Sequence, residues 1–333
     1  MIRPQVLVVL AFCSILSSEF CRAATDGLPS NARRIVFLGD SITHGGEYVD
    51  YIEAQLLTRF PDRDFEIVDI GLPSETVSGL SEPGHAGGAF PRPNLHERLD
   101  RALEKLKPDL VVACYGMNDG IYYPFSQERF AAFTNGIVRL REKVIARGAG
   151  IIHVTPPVFD SMPLKGKTRS AAEFEKLNAA SQSAGTQKQS WPFEGYDGVL
   201  EKYSEWLIAQ RKNGWSVIDV HGPMKKFLAQ MRSSNPDFKL AGDGVHIDDT
   251  GHRLMAKQIA LAWNLPDLNV PAPVVGLVRK RRKLLSDAWL TEIGHLRPGM
   301  TRGLPINEAL EQAVVLKEQI RKQFSRGQSA TTK

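Results

Sequence analysis

Phe37-Leu38-Gly39-Asp40-Ser41-Ile42-Thr43 is an apolar stretch that runs straight into a small polar turn presenting one serine. Four further runs share the apolar texture of its first half: 65–70, 110–115, 151–155 and 216–220, beside 34–38 itself. They are β-branched and nearly continuous in hydrophobicity, as strands buried on both faces must be. Helical patterns fall between them at 48–59, 95–106, 126–147 and 198–211. A last helix follows Asp249-Thr250, either of which would cap it. Strands alternating with helices imply right-handed crossovers and a parallel sheet covered on both sides. The expected fold is a doubly wound α/β domain. In the commoner order 2-1-3-4-5, strand 1 lies between strands 2 and 3, and ligands bind where the order reverses. Ser41, Gly71 and Asn118 each follow one of those three strands, so motifs far apart in sequence converge on one crevice.

The chain has 333 residues, 42% hydrophobic and 24% charged, enough for a sizeable core. Residues 1–23 read as a secretory leader: Arg3 gives a basic start, Val6 to Leu16 is apolar, and Cys21-Arg22-Ala23 ends in a small residue. The apolar run is too short to anchor in a bilayer, so export to the periplasm or medium is expected, with no integral membrane segment after cleavage. Two of the three cysteines, Cys13 and Cys21, fall in that leader, leaving Cys114 as a buried thiol and no intrachain disulfide.

The main α/β domain is expected at 24–265, a helical appendage at 266–325 beyond the Pro271-Ala272-Pro273 spacer, and a disordered tail at 326–333. One apolar stripe in the appendage comprises Ile306, Leu310, Ala313, Leu316, Ile320 and Phe324. The net charge of +5 is concentrated at Arg279-Lys280-Arg281-Arg282-Lys283. With no aromatic interleaving or nucleic-acid motif beside it, that run reads as a solvated helix face, and no nucleic-acid partner is expected. Of two long connections, 74–94 reads as a wall of the site, and 160–191 as a mobile lid or disordered insert.

The residue types in the crevice suit acyl transfer. A serine hydroxyl is a poor nucleophile until a base takes its proton, and histidine serves once a carboxylate fixes its tautomer. Asp243 and His246, three apart around Gly244, allow the carboxylate to reach Nδ1 while Nε2 faces Ser41. The backbone N–H groups of Ser41 and Gly71 and the Asn118 amide would serve as oxyanion donors, each typically worth about 10²–10³ in kcat. His44, Tyr122 and Tyr123 stand as candidate substrate contacts.

Gly39-Asp40-Ser41, Gly71, Gly116-Met117-Asn118-Asp119 and Asp243-Gly244-Val245-His246, in that order, resemble the blocks of the SGNH hydrolase superfamily, the GDSL esterases and lipases. The resemblance runs from Ile35 to about Ala262. It implies a three-layer αβα flavodoxin-like sandwich on a five-stranded parallel sheet. It also implies a Ser41–His246–Asp243 triad, Gly71 and Asn118 as oxyanion donors, and ester hydrolysis without metal or other cofactor. Asp69 departs from the asparagine usual there, and Ile247 from the proline that often follows the histidine.

Blander roles compete at each position. Ser41 would otherwise cap a helix, and Asp243 and His246 would form a surface turn. Asp119 is expected to brace its own turn, His85 to be a solvated loop residue, and His153 to be a core histidine. Asp248, Asp249 and His252 would suggest a metal, but helix capping explains the acids more simply. Loops rich in Gly and polar residues, with Tyr122, Tyr123, Trp191 and Tyr196 nearby in sequence, favour a serine esterase that removes small acyl groups, chiefly acetyl, from carbohydrate through an acyl-enzyme. The rivals are a lipase or lysophospholipase, an acyltransferase, a non-catalytic carbohydrate-binding module that kept the fold, and a basic-helix binder of anionic surfaces. Oligomeric state is not legible.

Overall fold

The computed structural model describes residues 27–184, 191–265 and 270–331, with side chains omitted over 178–184 and 324–331. The leader with Cys13 and Cys21, and the stretch 185–190, lie outside the described residues.

Five parallel strands, β1 Arg34–Gly39, β2 Glu66–Asp69, β3 Leu110–Cys114, β4 Gly150–Val154 and β5 Ser216–Ile218, form one sheet in the order β2-β1-β3-β4-β5. The register pairs Phe37 with Asp69 and Gly39 with Cys114, so β1 and β3 finish level and β2 ends two residues short of them. Ile35, Phe37, Val68, Val111 and Val112 are fully buried. Each such side chain contributes about 1.5–3 kcal/mol of burial, which is why this texture chooses the middle layer.

Helices α1 Ser41–Gly45, α2 Glu47–Arg59, α3 Leu95–Leu106, α4 Gln127–Ala146, α5 Ala171–Ala184, α6 Tyr196–Ala209, α7 His221–Ser234 and α8 Asp249–Ala262 connect and cover the sheet. α3 shows the logic: Leu95, Leu99, Leu103 and Leu106 recur every three or four residues and are buried, and Asn94 caps the start through His96 N–H. α2 packs with α8 on one side, while Phe133 of α4 stacks on Tyr203 of α6 on the other, their centroids 4.3 Å apart. The cap of α8 differs from expectation. Asp248, in extended conformation, accepts Gly251 N–H at 3.0 Å, which leaves Asp249 to pair with Arg253 and Tyr51.

Three helices, the short α1 and the longer α5 and α7, have no counterpart among the helical patterns of the sequence. α5 lies in the 160–191 connection, which is tied down where Arg169 N–H meets Pro192 O at 2.9 Å. Cys114 is buried, and burial pushes its thiol well up. His153 is a core residue stacked on Trp215 at 5.1 Å, and burial lowers its pKa to about 3.

Beyond α8 come α9 Ala272–Ile293 and α10 Ile306–Thr331, packed against each other. α9 runs beside edge strand β2 and also meets α2 and α3. α10 continues to Thr331, into the segment expected as a tail. No helix among the described residues is long and apolar enough to cross a membrane.

The basic run on α9 corrects the sequence reading. Arg281 and Arg282 are buried, not solvated. Arg281 pairs with Glu53 at 2.6 Å, and Arg282 with Asp50 at 2.6 Å and Asp69 at 3.0 Å. Only Arg279, Lys280 and Lys283 remain outside the core. A cation run in one segment meets its acids in another, so the charge count along the chain hid a buried network.

Candidate active site

Gly39 ends β1 where its neighbours press closest. A Cβ there would stand 2.8 Å from Cys114 O and still nearer to Thr43. Asp40 follows as the N-cap of α1, its Oδ1 accepting Ile42 N–H at 2.9 Å. Burial raises the Asp40 carboxyl to about 7, against the opposing pull of that hydrogen bond. Ser41 is therefore not the cap. It is the first helical residue, where its N–H has no acceptor within the helix and its hydroxyl faces the crevice.

Ser41 Oγ lies 2.8 Å from His246 Nε2, and His246 Nδ1 lies 2.6 Å from Asp243 Oδ2. The other carboxylate oxygen accepts the N–H groups of Val245 at 3.0 Å and His246 at 2.8 Å. Burial alone would raise Asp243, but the hydrogen bonds from His246 and Val245 outweigh it and hold the carboxyl below its usual range. Gly244 has φ +79°, and a Cβ there would sit 2.6 Å from Asp160 O. Asp160 in turn gives its N–H to Gly244 O and pairs with Arg232 at 2.7 Å, steadying the turn. Ser41, His246 and Asp243 thus stand in one hydrogen-bonded line, with Asp243 and His246 in a turn at the surface.

Gly71 stands where expected, against α1: a Cβ at 71 would lie 2.4 Å from His44 N. Its N–H, however, is given to Asp69 Oδ1 at 2.9 Å. Of the three expected oxyanion donors, this one is engaged, because the carboxylate two residues back closes a turn over it. Burial raises the Asp69 carboxyl to about 6, even with Arg282 beside it pulling the other way.

Asn118 is fixed from several directions. Its Nδ2 donates to Glu75 O at 3.3 Å, and its Oδ1 accepts from Arg92 Nη1 at 2.9 Å and Tyr122 OH at 3.1 Å. Two donors on Oδ1 settle which way the amide faces and leave Nδ2 one further proton to give. Arg92 is itself clamped by Glu82, through Nε and Nη2, both at 2.6 Å. His85 completes this group with Nδ1 3.3 Å from Glu82 Oε1 and its ring against Phe90. It is buried in this cluster, not solvated as expected. Sequence reasoning missed Glu82 and Arg92. The signal available was an acid and a base ten residues apart inside a connection already read as a wall.

Asp119 ties that wall to the sheet. Its N–H closes the turn on Gly116 O, while its carboxylate accepts Ser78 N–H at 2.7 Å. Burial raises its carboxyl to about 6. Tyr196 supports the same turn from α6, donating to Met117 O at 2.9 Å and accepting Gly120 N–H at 3.1 Å. It is fully buried, which removes it from the surfaces on which a sugar could stack.

A cavity of about 190 Å³ opens beside the triad, lined by Glu82, Arg92, Ile121, Tyr122, Tyr123, Leu164, Pro192, Asp243 and Val245. Tyr122 and Tyr123 are therefore at the site. His44 is not among these residues; burial lowers its pKa, and Arg282 on α9 pushes the same way. Trp191 is half exposed, with the Arg169 guanidinium 5.7 Å from its ring, and it does not line the cavity. Ile121 and Tyr122 adopt φ of +50° and +60°. A β-branched residue in the left-handed region is strained, and such strain persists only where surroundings impose it.

The model of the GDSL-like lipase/acylhydrolase family matches residues 37–254. The chain belongs to that family. No curated protein matches the chain. Among solved structures, a gut microbial diltiazem-metabolizing enzyme is similar with a TM-score of 0.52 at 21% identity, over 73% of this chain and 49% of that one. A catalytic mutant of Axe2, an acetylxylan esterase from Geobacillus stearothermophilus, is similar with a TM-score of 0.50 at 17% identity, over 74% of this chain and 99% of that one. The chain thus spans about half the length of the first relative and nearly all of the second. At these identities the likeness establishes the fold.

Proposed function

We propose that the protein is an exported serine esterase that removes small acyl groups, chiefly acetyl, from carbohydrate through an acyl-enzyme. The observation that carries the serine mechanism is the unbroken line from Ser41 Oγ through His246 to Asp243, at 2.8 and 2.6 Å. Ser41 Oγ attacks the ester carbonyl carbon while its proton passes to His246 Nε2, and Asp243 steadies the imidazolium. Charge developing on the carbonyl oxygen meets Ser41 N–H and the remaining Asn118 amide proton. The intermediate collapses as His246 returns the proton to the leaving alcohol. Water then repeats the sequence on the acyl-serine and releases the acid.

Substrate class rests on the wall. The cavity is small, mixed in polarity and flanked by Tyr122 and Tyr123, which suits a short acyl group on a sugar better than a long chain. An acetylxylan esterase among the relatives of like fold points the same way. Export rests on the apolar leader in the sequence.

The test compares acetyl with long-chain p-nitrophenyl esters and acetylated xylan, using wild type and Ser41→Ala. Acetyl release that Ser41→Ala abolishes, with fluorophosphonate labelling at Ser41, is the expected result. Preference for long chains removes the carbohydrate reading. Equal turnover by the two proteins makes the site inert and favours a binding module.

A further inference from the structure

One guanidinium holds the helix that begins with Ser41 against the 69–71 turn packed beside it. Arg282 of α9 donates from Nη2 to Gly45 O at 2.7 Å and from Nη1 to His44 O at 3.3 Å, the last carbonyls of the helix that begins with Ser41. The same Nη1 reaches Asp69 Oδ2 at 3.0 Å, and Nε reaches Asp50 Oδ1 at 2.6 Å. Asp69 carries the link onward, since its other oxygen holds Gly71 N–H. The backbone makes room for this contact. Gly46 sits at φ +71°, and a Cβ there would lie 2.2 Å from the Arg282 Cζ. The guanidinium is therefore built into the turn after Ser41, and nothing bulkier than glycine would admit it.

We propose that Arg282 is a positioning residue for ester hydrolysis, so that the C-terminal appendage is a working part of the active site. This rests on the serine-esterase reading above. A planar fork with five donors can serve Asp50, Asp69 and two carbonyls at once. A lysine ammonium at the end of a flexible stem cannot. Without the fork, α1 and the 69–71 turn lose their shared anchor, and Ser41 loses its set position relative to the oxyanion side of the crevice. Departures of that kind fall on the transition state more than on substrate binding. The aspartate at 69, unusual by family resemblance, has its explanation here as the anionic partner of Arg282.

The experiment measures kcat and KM on p-nitrophenyl acetate for wild type, Arg282→Lys, Asp69→Asn and the double variant, with Lys280→Ala as an exposed control on the same helix. Thermal unfolding establishes that each is folded. Arg282→Lys is expected to lower kcat by about 10–100-fold while KM moves by less than about threefold. The double variant should be no worse than the poorer single one, because both break one link. Lys280→Ala should match wild type. A folded Arg282→Lys with kcat within about twofold of wild type overturns the proposal, as do fully additive losses in the double variant. Should Arg282→Lys not fold, Asp69→Asn decides alone: it is isosteric and removes a buried charge, and unchanged kcat overturns the link. Absence of ester turnover in wild type is a different failure. It defeats the esterase reading itself and takes this inference with it.

Discussion

The two sides of the crevice are built in opposite ways. Asp243 and His246 sit in one short turn with side chains more than half exposed, and hydrogen bonds within that turn hold their geometry. Across from them, Asp69, Glu75, Glu82, Arg92, Arg98 and Arg282 are buried and drawn from four separate segments. Arg98 alone spans Glu75 at 2.7 Å and Ile70 O at 2.8 Å. The difference follows from the tasks. A proton-transfer relay needs two short hydrogen bonds and can rotate and recover. An oxyanion wall must be in place before charge appears, and low dielectric makes its dipoles count.

The contrast breaks if the two sides respond alike to substitution. The largest effect is expected from His246→Ala, which should lower kcat by about 10⁴-fold or more while the thermal midpoint stays near wild type. An exposed side chain seldom costs more than about 0.5 kcal/mol of stability. Esterase assay and calorimetry on one preparation would check both. Next comes Arg92→Met. It takes one of two donors from Asn118 Oδ1 and leaves Glu82 with His85 alone, so kcat should fall by about 10–100-fold. Stability should fall too, by about 3–5 kcal/mol, since a buried carboxylate loses its partner. If Arg92→Met left stability untouched, the wall would not be the rigid side.

The smallest effect concerns Asp40, and its sign can be worked out. In the folded chain the carboxyl titrates at about 7, against 3.8 for the ordinary group. Between those values the native state holds a proton that the unfolded state has lost, so this group's contribution to stability falls as pH rises through the window. An asparagine in its place would keep the cap on Ile42 N–H without that proton. The thermal midpoint of wild type should therefore drop by a few degrees relative to Asp40→Asn between about pH 4 and pH 7. Parallel curves would mean that Asp40 is not held neutral by its burial.

What could be read from the chain alone was local or set by topology. The strand runs, the span of α3 and the order that brings the ends of β1, β2 and β3 together all follow from periodicity and packing rules, and the structure matches them. The Asp243–His246 turn was legible because three-residue spacing fixes its reach. α7 was not, because only His221, Met224 and Leu228 of its 14 residues are buried and the stripe is faint. The fate of Arg281 and Arg282 was out of reach for a different reason. Their partners lie in α2 and β2, more than two hundred residues earlier, and charge patterning carries no information about such distant pairing. Arg92 was hidden in the same way on a smaller scale, inside a loop whose glycines and prolines drew attention away from its charges.

The Arg282 contact also sets an order of events. Its link to Asp50 spans 232 residues of chain. While the protein is being made, β1, β2 and the serine turn all leave the ribosome long before α9 exists. Through that interval Asp50, Glu53 and Asp69 have no arginine from α9, and the carbonyls of His44 and Gly45 are open to water. Loop-closure entropy makes such distant contacts late and slow. The nucleophile is thus among the first parts synthesised, and the clamp behind it among the last to close.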